Sequence, residues 1–205
     1  MTPIDICNHA LARLGEAKII SLTDATKPAR TCSLLYKQTR DEVLRAHRWN
    51  FAKDRATLSL LTATPTFGWA RAYTLPIDCL RVLSLNGETE EEGEEFDIEG
   101  RKLLTDSTTA QIVYIKKVED SEQFDSLFCG ALSVLLAAKM AVSLTGSQSR
   151  ADDLRKEYES LVRPAAVKVD ASESKPRKSY MTGILHASQF VNARTFVTAI
   201  PETES

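Results

Sequence analysis

The sequence predicts an α+β fold: a helical bundle of about four helices, an antiparallel β-region inserted between two helical pairs, and an extended C-terminal arm. Three observations lead there. Apolar residues recur at helical spacing near both ends of residues 1–164. Between them, from Trp49 to Val118, the pattern changes to short runs of β-branched and aromatic residues separated by turn chemistry. Beyond Pro164 the apolar anchors are too few to bury a core of their own.

Taken in order, Thr2-Pro3 supplies a cap and a first helical position, and Ile4, Cys7, Leu11 and Leu14 trace one face until Gly15 offers an exit. A second helix starts near Thr26 or Lys27 with Pro28 in its first turn. Cys32, Leu35, Tyr36, Thr39 and Val43 line its inner face toward Ala46. Lys37, Arg40, Asp41, Glu42 and Arg45 are expected on its outer face, against solvent or a neighbouring subunit. WNFAKDRATLSLL then reads as extended chain, ARAYTLPIDCLRVLSL as two strand pieces broken at Pro76, and IEGRKLLTD with AQIVYIKKV as a hairpin-like pair. The run Ile112 to Ile115 is apolar or aromatic throughout, which predicts a central strand covered on both faces. Asp120 with Gln123 suggests a capping box, after which Phe124, Leu127, Phe128, Ala131, Leu135, Ala138 and Val142 make a dense apolar face ending near Gly146. Ala151, Leu154, Tyr158 and Leu161 mark a fourth helix that is expected to stop at Pro164. The resulting division is a bundle over 1–48 and 119–164, a β-region over 49–118, and an arm over 165–205.

The bulk numbers limit the function. A globular part of roughly 150 residues buries about 70% of its unfolded surface, so a full core is expected. A formal net charge of -2 argues against a general nucleic-acid or membrane-surface binder. The N-terminus has no basic region followed by an apolar run, and GALSVLLAAKMAVSL is broken by Lys139, so neither a signal peptide nor a membrane span is expected. Cys7, Cys32, Cys79 and Cys129 are scattered without metal-ligand spacing and read as reduced core thiols. His9, His47 and His186 lie far apart in sequence, and no GxSxG, HExxH, P-loop or GxGxxG occurs. No enzyme, cofactor or metal is expected.

Two windows are strongly biased. Residues 88–99 concentrate acid, including Glu90, Glu91, Glu92, Glu94 and Glu95. They read as a solvated loop that keeps strand edges apart, or as an acidic surface that repels a polyanion; a calcium site is disfavoured by the spacing. Residues 40–55 interleave Arg40, Arg45, Arg48, Lys53 and Arg55 with Trp49 and Phe51. The aromatics read as core anchors with a cationic rim, or else as a nucleic-acid patch.

IDICNHALARLGE with ISL after it, RAHRWNFA, YTLPIDCLRVLSL, IVYIKKV and LRKEYESLVRPA, in that order, resemble the tail tubular protein A or head-to-tail adaptor family of short-tailed bacteriophages across roughly residues 3–166. The resemblance implies a structural virion protein of the viral tail, assembled in the bacterial host cytoplasm. It further implies a ring, generally of twelve copies, between the portal protein and a tail nozzle of the tail tubular protein B kind, with genomic double-stranded DNA passing through. Trp49 and Phe51 would then anchor the seam between bundle and β-region. The arm would dock on portal and neighbouring subunits through Tyr180, Ile184, Leu185, Phe190 and Phe196, unless it is an ordinary loose terminus. The acidic loop would face the channel or the nozzle. The competing reading is a DNA-binding regulator that uses residues 40–55.

Overall fold

Thr2 opens the first helix by reciprocal hydrogen bonding. Its Oγ1 accepts from the Asp5 amide at 3.2 Å, while the Asp5 carboxylate accepts from the Thr2 amide at 2.9 Å. Two backbone donors that a helix start would leave unpaired are thereby satisfied. Helix α1 (Pro3–Leu14) ends where Gly15 turns left-handed at φ 74°, a conformation that costs glycine little. The computed structural model describes residues 1–87 and 93–172, and residues 1–173 make one compact unit.

Helix α2 (Lys27–Ala46) begins at a Thr26 cap with Pro28 in its first turn and buries Cys32, Tyr36, Thr39 and Val43. Arg40 departs from the expected outer face. It is 3% exposed, because the chain leaving the β-region returns over this part of the helix. Its guanidinium meets Asp41 at 2.8 Å and Glu119 at 3.4 Å, and Lys117 closes the network on the same two carboxylates.

Among the described residues seven strands follow: β1 (Lys53–Thr57), β2 (Ser59–Leu60), β3 (Arg71–Thr74), β4 (Cys79–Leu85), β5 (Asp97–Glu99), β6 (Lys102–Thr105) and β7 (Gln111–Lys116). They form two antiparallel sheets, ordered β1-β7-β4 and β2-β3-β6-β5. Strand β7 is central and covered on both faces. Ile115 joins the helical core, and Ile112 and Tyr114 join a second core with Leu58, Tyr73, Leu85 and Leu103. The expected hairpin between the 98–106 and 110–118 stretches is not formed. β6 instead pairs with β5 and β3, whereas β7 lies in the other sheet. The physical reason is the two-sided apolar character of β7, which needs a strand on each edge and cover on each face. The Asp106–Ala110 link is held toward β3, since Asp106 accepts from the Ala70 amide and Ser107 accepts from the Tyr73 hydroxyl.

Helix α3 (Ser126–Thr145) starts later than Asp120 suggested. Asp120 caps a single tight turn at Ser121–Gln123, and the Asp125 carboxylate caps the helix itself by accepting from the Leu127 and Phe128 amides. It is long and apolar enough to span a bilayer, but here it packs against α1, α2 and the C-terminal helices. Leu127 and Val142, assigned to the inner face by periodicity, are 37% and 47% exposed. They sit near the two ends of α3, where its neighbours cover it less.

The fourth helix does not stop at Pro164. Helix α4 (Gln148–Glu157) passes through a π turn at Tyr158–Val162 into α5 (Arg163–Ser172) without leaving helical backbone angles. Within an α-helix Pro164 would crowd the carbonyl four residues back. The wider π turn, in which the Arg163 amide reaches Tyr158, carries the rod past it. The predicted arm therefore contributes residues 165–172 to the bundle, where Ala166 is 1% exposed. The fold is α+β, with four helical rods and antiparallel sheets among the described residues.

Candidate functional site

At the junction where α2 gives way to β1, several elements meet. His47 leaves helical geometry at φ -142°, and one tight turn at Asn50–Ala52 intervenes before β1. That turn delivers Trp49 and Phe51 to the same core. Trp49 is 1% exposed and donates its indole N–H to the Val43 carbonyl at 2.8 Å. Its ring lies edge-on to Phe128 at 5.2 Å, Phe51 meets Phe128 at 5.1 Å, and Phe124 packs on both phenylalanines. Ala52 and Ile115 share this core, so the junction joins α2, α3, β1 and β7.

A polar clasp lies over the same junction and ties in α5. The Asp170 carboxylate accepts from the Asn50 amide at 2.8 Å and lies 3.1 Å from His47 Nε2, and the Asn50 side chain donates to the Asp170 carbonyl. Arg163 donates to the Ala46 carbonyl. Sequence reasoning missed Asp170, because its partners are more than a hundred positions away and its own neighbours look like polar tail.

Burial holds the His47 pKa below its ordinary 6.5, outweighing the pull of Asp170 in the other direction; Arg163 and Arg48 push it lower still. A base with a depressed folded pKa takes up fewer protons folded than unfolded, so stability is lost as pH falls below the unfolded value. Thermal unfolding followed from about pH 8 to about pH 5 should therefore show a loss for the native chain that His47→Gln reduces. Identical pH profiles for the two proteins would exclude this role.

The cations of the basic stretch are placed differently from one another. Arg40 is buried in its ion-pair network, and Arg45 donates to the Leu80 carbonyl at 2.7 Å across the helix–sheet boundary. Lys53 and Arg55 are exposed on the outer strand β1. In the acidic window, Glu94 and Glu95 are exposed and held by backbone, the Glu94 amide donating to Leu85 and the Thr105 hydroxyl to the Glu95 carbonyl. Glu90, Glu91 and Glu92 lie outside the described residues, as do Tyr180, Ile184, Leu185, His186, Phe190 and Phe196.

The four cysteines are buried and free. Cys32 Sγ lies 3.5 Å from the Met140 sulfur, and burial pushes the Cys79 and Cys129 thiols up. Among the described residues no group of three or more His, Cys, Asp or Glu side chains is arranged to hold a metal. An open concavity of about 420 Å³ is lined, among the described residues, by Arg55, Ala56, Thr57, Asn86, Gly87, Gln111, Ile112 and Val113. What the junction can do chemically is transmit position: it locks the helical bundle, the β1-β7-β4 sheet and α5 together. No family model matches the chain, and a search of curated proteins finds none with significant sequence similarity.

Proposed function

We propose that the chain is a head-to-tail adaptor of a short-tailed bacteriophage, a structural protein whose copies form a ring between the portal and the tail nozzle while DNA passes through. The observation that carries this reading is the ordered set of five stretches resembling that family. In the fold they fall on α1, the end of α2, the successive strands β3 and β4, β7 and the α4–α5 rod, so all five belong to one helix-and-sheet body. The Asp170 clasp supports it too, since it anchors the base of a C-terminal segment of 33 residues (173–205) that carries the proposed docking anchors.

A DNA-binding regulator has less support. Its candidate surface includes Arg40, which is buried in an ion-pair network, and Arg45, which is exposed but donates to the Leu80 carbonyl. The test is the solution mass of the purified protein, alone and after mixing with a candidate portal ring, by light scattering on a sizing column. Joining the portal as a discrete larger ring is the expected result. Failure to join, with salt-dependent binding of free duplex DNA, overturns the proposal in favour of the regulator.

A further inference from the structure

Sulfur atoms from three different helices meet inside the bundle. Cys7 lies midway along α1, Cys32 in the second turn of α2 and Met140 in the second half of α3, and all three side chains are fully buried in one shared core. The Cys32 Sγ lies 3.5 Å from the Met140 sulfur, and the Cys7 and Cys32 thiols hydrogen-bond to each other. Both α1 and α2 pack on α3, so the cluster sits where the three rods are held together.

Two thiols and a thioether are a donor set that soft ions select. Sulfurs in a trigonal plane, each about 2.3 Å from an ion, stand about 4 Å apart, close to the separation of Cys32 and Met140 here. Zinc matches less well, because its sites draw four donors from thiolate, imidazole and carboxylate. Calcium and magnesium require oxygen. Copper(I) is the ion whose softness this set meets.

A second observation points to the same place. Tyr36 follows Cys32 by one turn on the same face of α2 and is 5% exposed. Its hydroxyl has no hydrogen-bond partner among the described residues. Burial pushes this phenol up to about 12, and Cys7 and Cys129 add to the rise against the pull of Arg40, which puts Tyr36 beside the cluster. An uncharged thiol is a weak acceptor for such a hydroxyl, whereas a thiolate is a strong one. Metal binding is what turns a buried thiol into a thiolate.

We infer that Cys7, Cys32 and Met140 form a copper(I) site, with Tyr36 as a positioning residue whose hydroxyl donates to the Cys7 sulfur once the ion is bound. Each bound ion displaces one proton from each thiol to solvent and changes no oxidation state. Two thiolates and one monovalent cation leave a single negative charge, which the Tyr36 hydroxyl and the Arg40 guanidinium offset. The ion ties α1 to α2 and α3. The site is independent of the ring reading.

The test mixes the full, reduced chain without oxygen with copper(I) held by the coloured chelator bathocuproine disulfonate. It is run on the folded protein and during refolding from urea, so that slow entry into a closed core does not hide binding. Withdrawal of one equivalent from the chelator is expected, with a rise in the thermal unfolding midpoint, since an ion that binds the folded form stabilises it. No withdrawal, or withdrawal without that rise, overturns the inference. Met140→Leu keeps the side-chain volume and should weaken the affinity about tenfold or more, as should Tyr36→Phe. An affinity unchanged in either variant overturns the site as described. Cys7→Ala and Cys32→Ala should each abolish the uptake, whereas Cys79→Ala, altered in the β-region core, should leave it intact. Equal loss in all three places the copper on thiols at large and also overturns the inference.

Discussion

Trp49→Ala lowers the unfolding free energy by about 3–5 kcal/mol, as expected for removing a fully buried aromatic side chain. The side chain is 1% exposed, and its indole sits against His47, Phe51 and Phe128. Truncation opens a cavity between α2 and α3 that neither helix can close by shifting, because Phe124 and Phe128 are already packed on Phe51. It also leaves the Val43 carbonyl without its indole donor. Trp49→Phe separates the two effects, since it refills most of the volume and loses the hydrogen bond, at a cost nearer 1 kcal/mol. Urea unfolding of the full chain checks both, with the midpoint shifting while the slope holds. A loss under about 1 kcal/mol for Trp49→Ala would mean that the aromatic cluster does not hold the junction.

Asp170→Ala should release α5 while leaving the rest of the bundle folded. The carboxylate accepts from the Asn50 amide and meets His47, and its removal leaves a backbone donor unpaired at the junction. Hydrogen bonds to a charged group of this kind are worth about 2 kcal/mol. The expected readout is hydrogen exchange: amides of residues 163–172 lose protection by roughly tenfold or more, and those in the middle of α3 do not change. Uniform loss across both helices would instead make Asp170 part of the global fold. Under the adaptor reading the same variant should also weaken portal binding, because α5 leads directly into residues 173–205.

Much of this architecture is written in local pattern. Thr2, Pro3 and Gly15 delimit α1, and Thr26 and Pro28 start α2, because caps and glycine exits act within a few residues of themselves. The apolar run Ile112–Ile115 announces a central strand for a similar reason: a strand covered on both faces has no polar side to show. Patterns that depend on distant partners were misread. Arg40 looks solvent-facing on α2 until Glu119 arrives over it from the end of the β-region. Pro164 looks like a stop until a π turn relieves its clash. The acidic and basic windows are plain as composition, but strand order puts Asp97 and Glu99 on β5 and Lys53 and Arg55 on β1, an order that turn residues and alternation do not encode.

Residue order alone settled the α+β class, the ends of the first two helices and the apolar content of the junction, since each follows from periodicity and capping over a few neighbouring positions. The partition of seven strands into two sheets, the burial of Arg40, the continuation of the last helix and the Asp170 clasp were decided by the folded chain. Each of these joins groups far apart in sequence, and such pairings are chosen by the competition for burial and hydrogen-bond partners across the whole molecule.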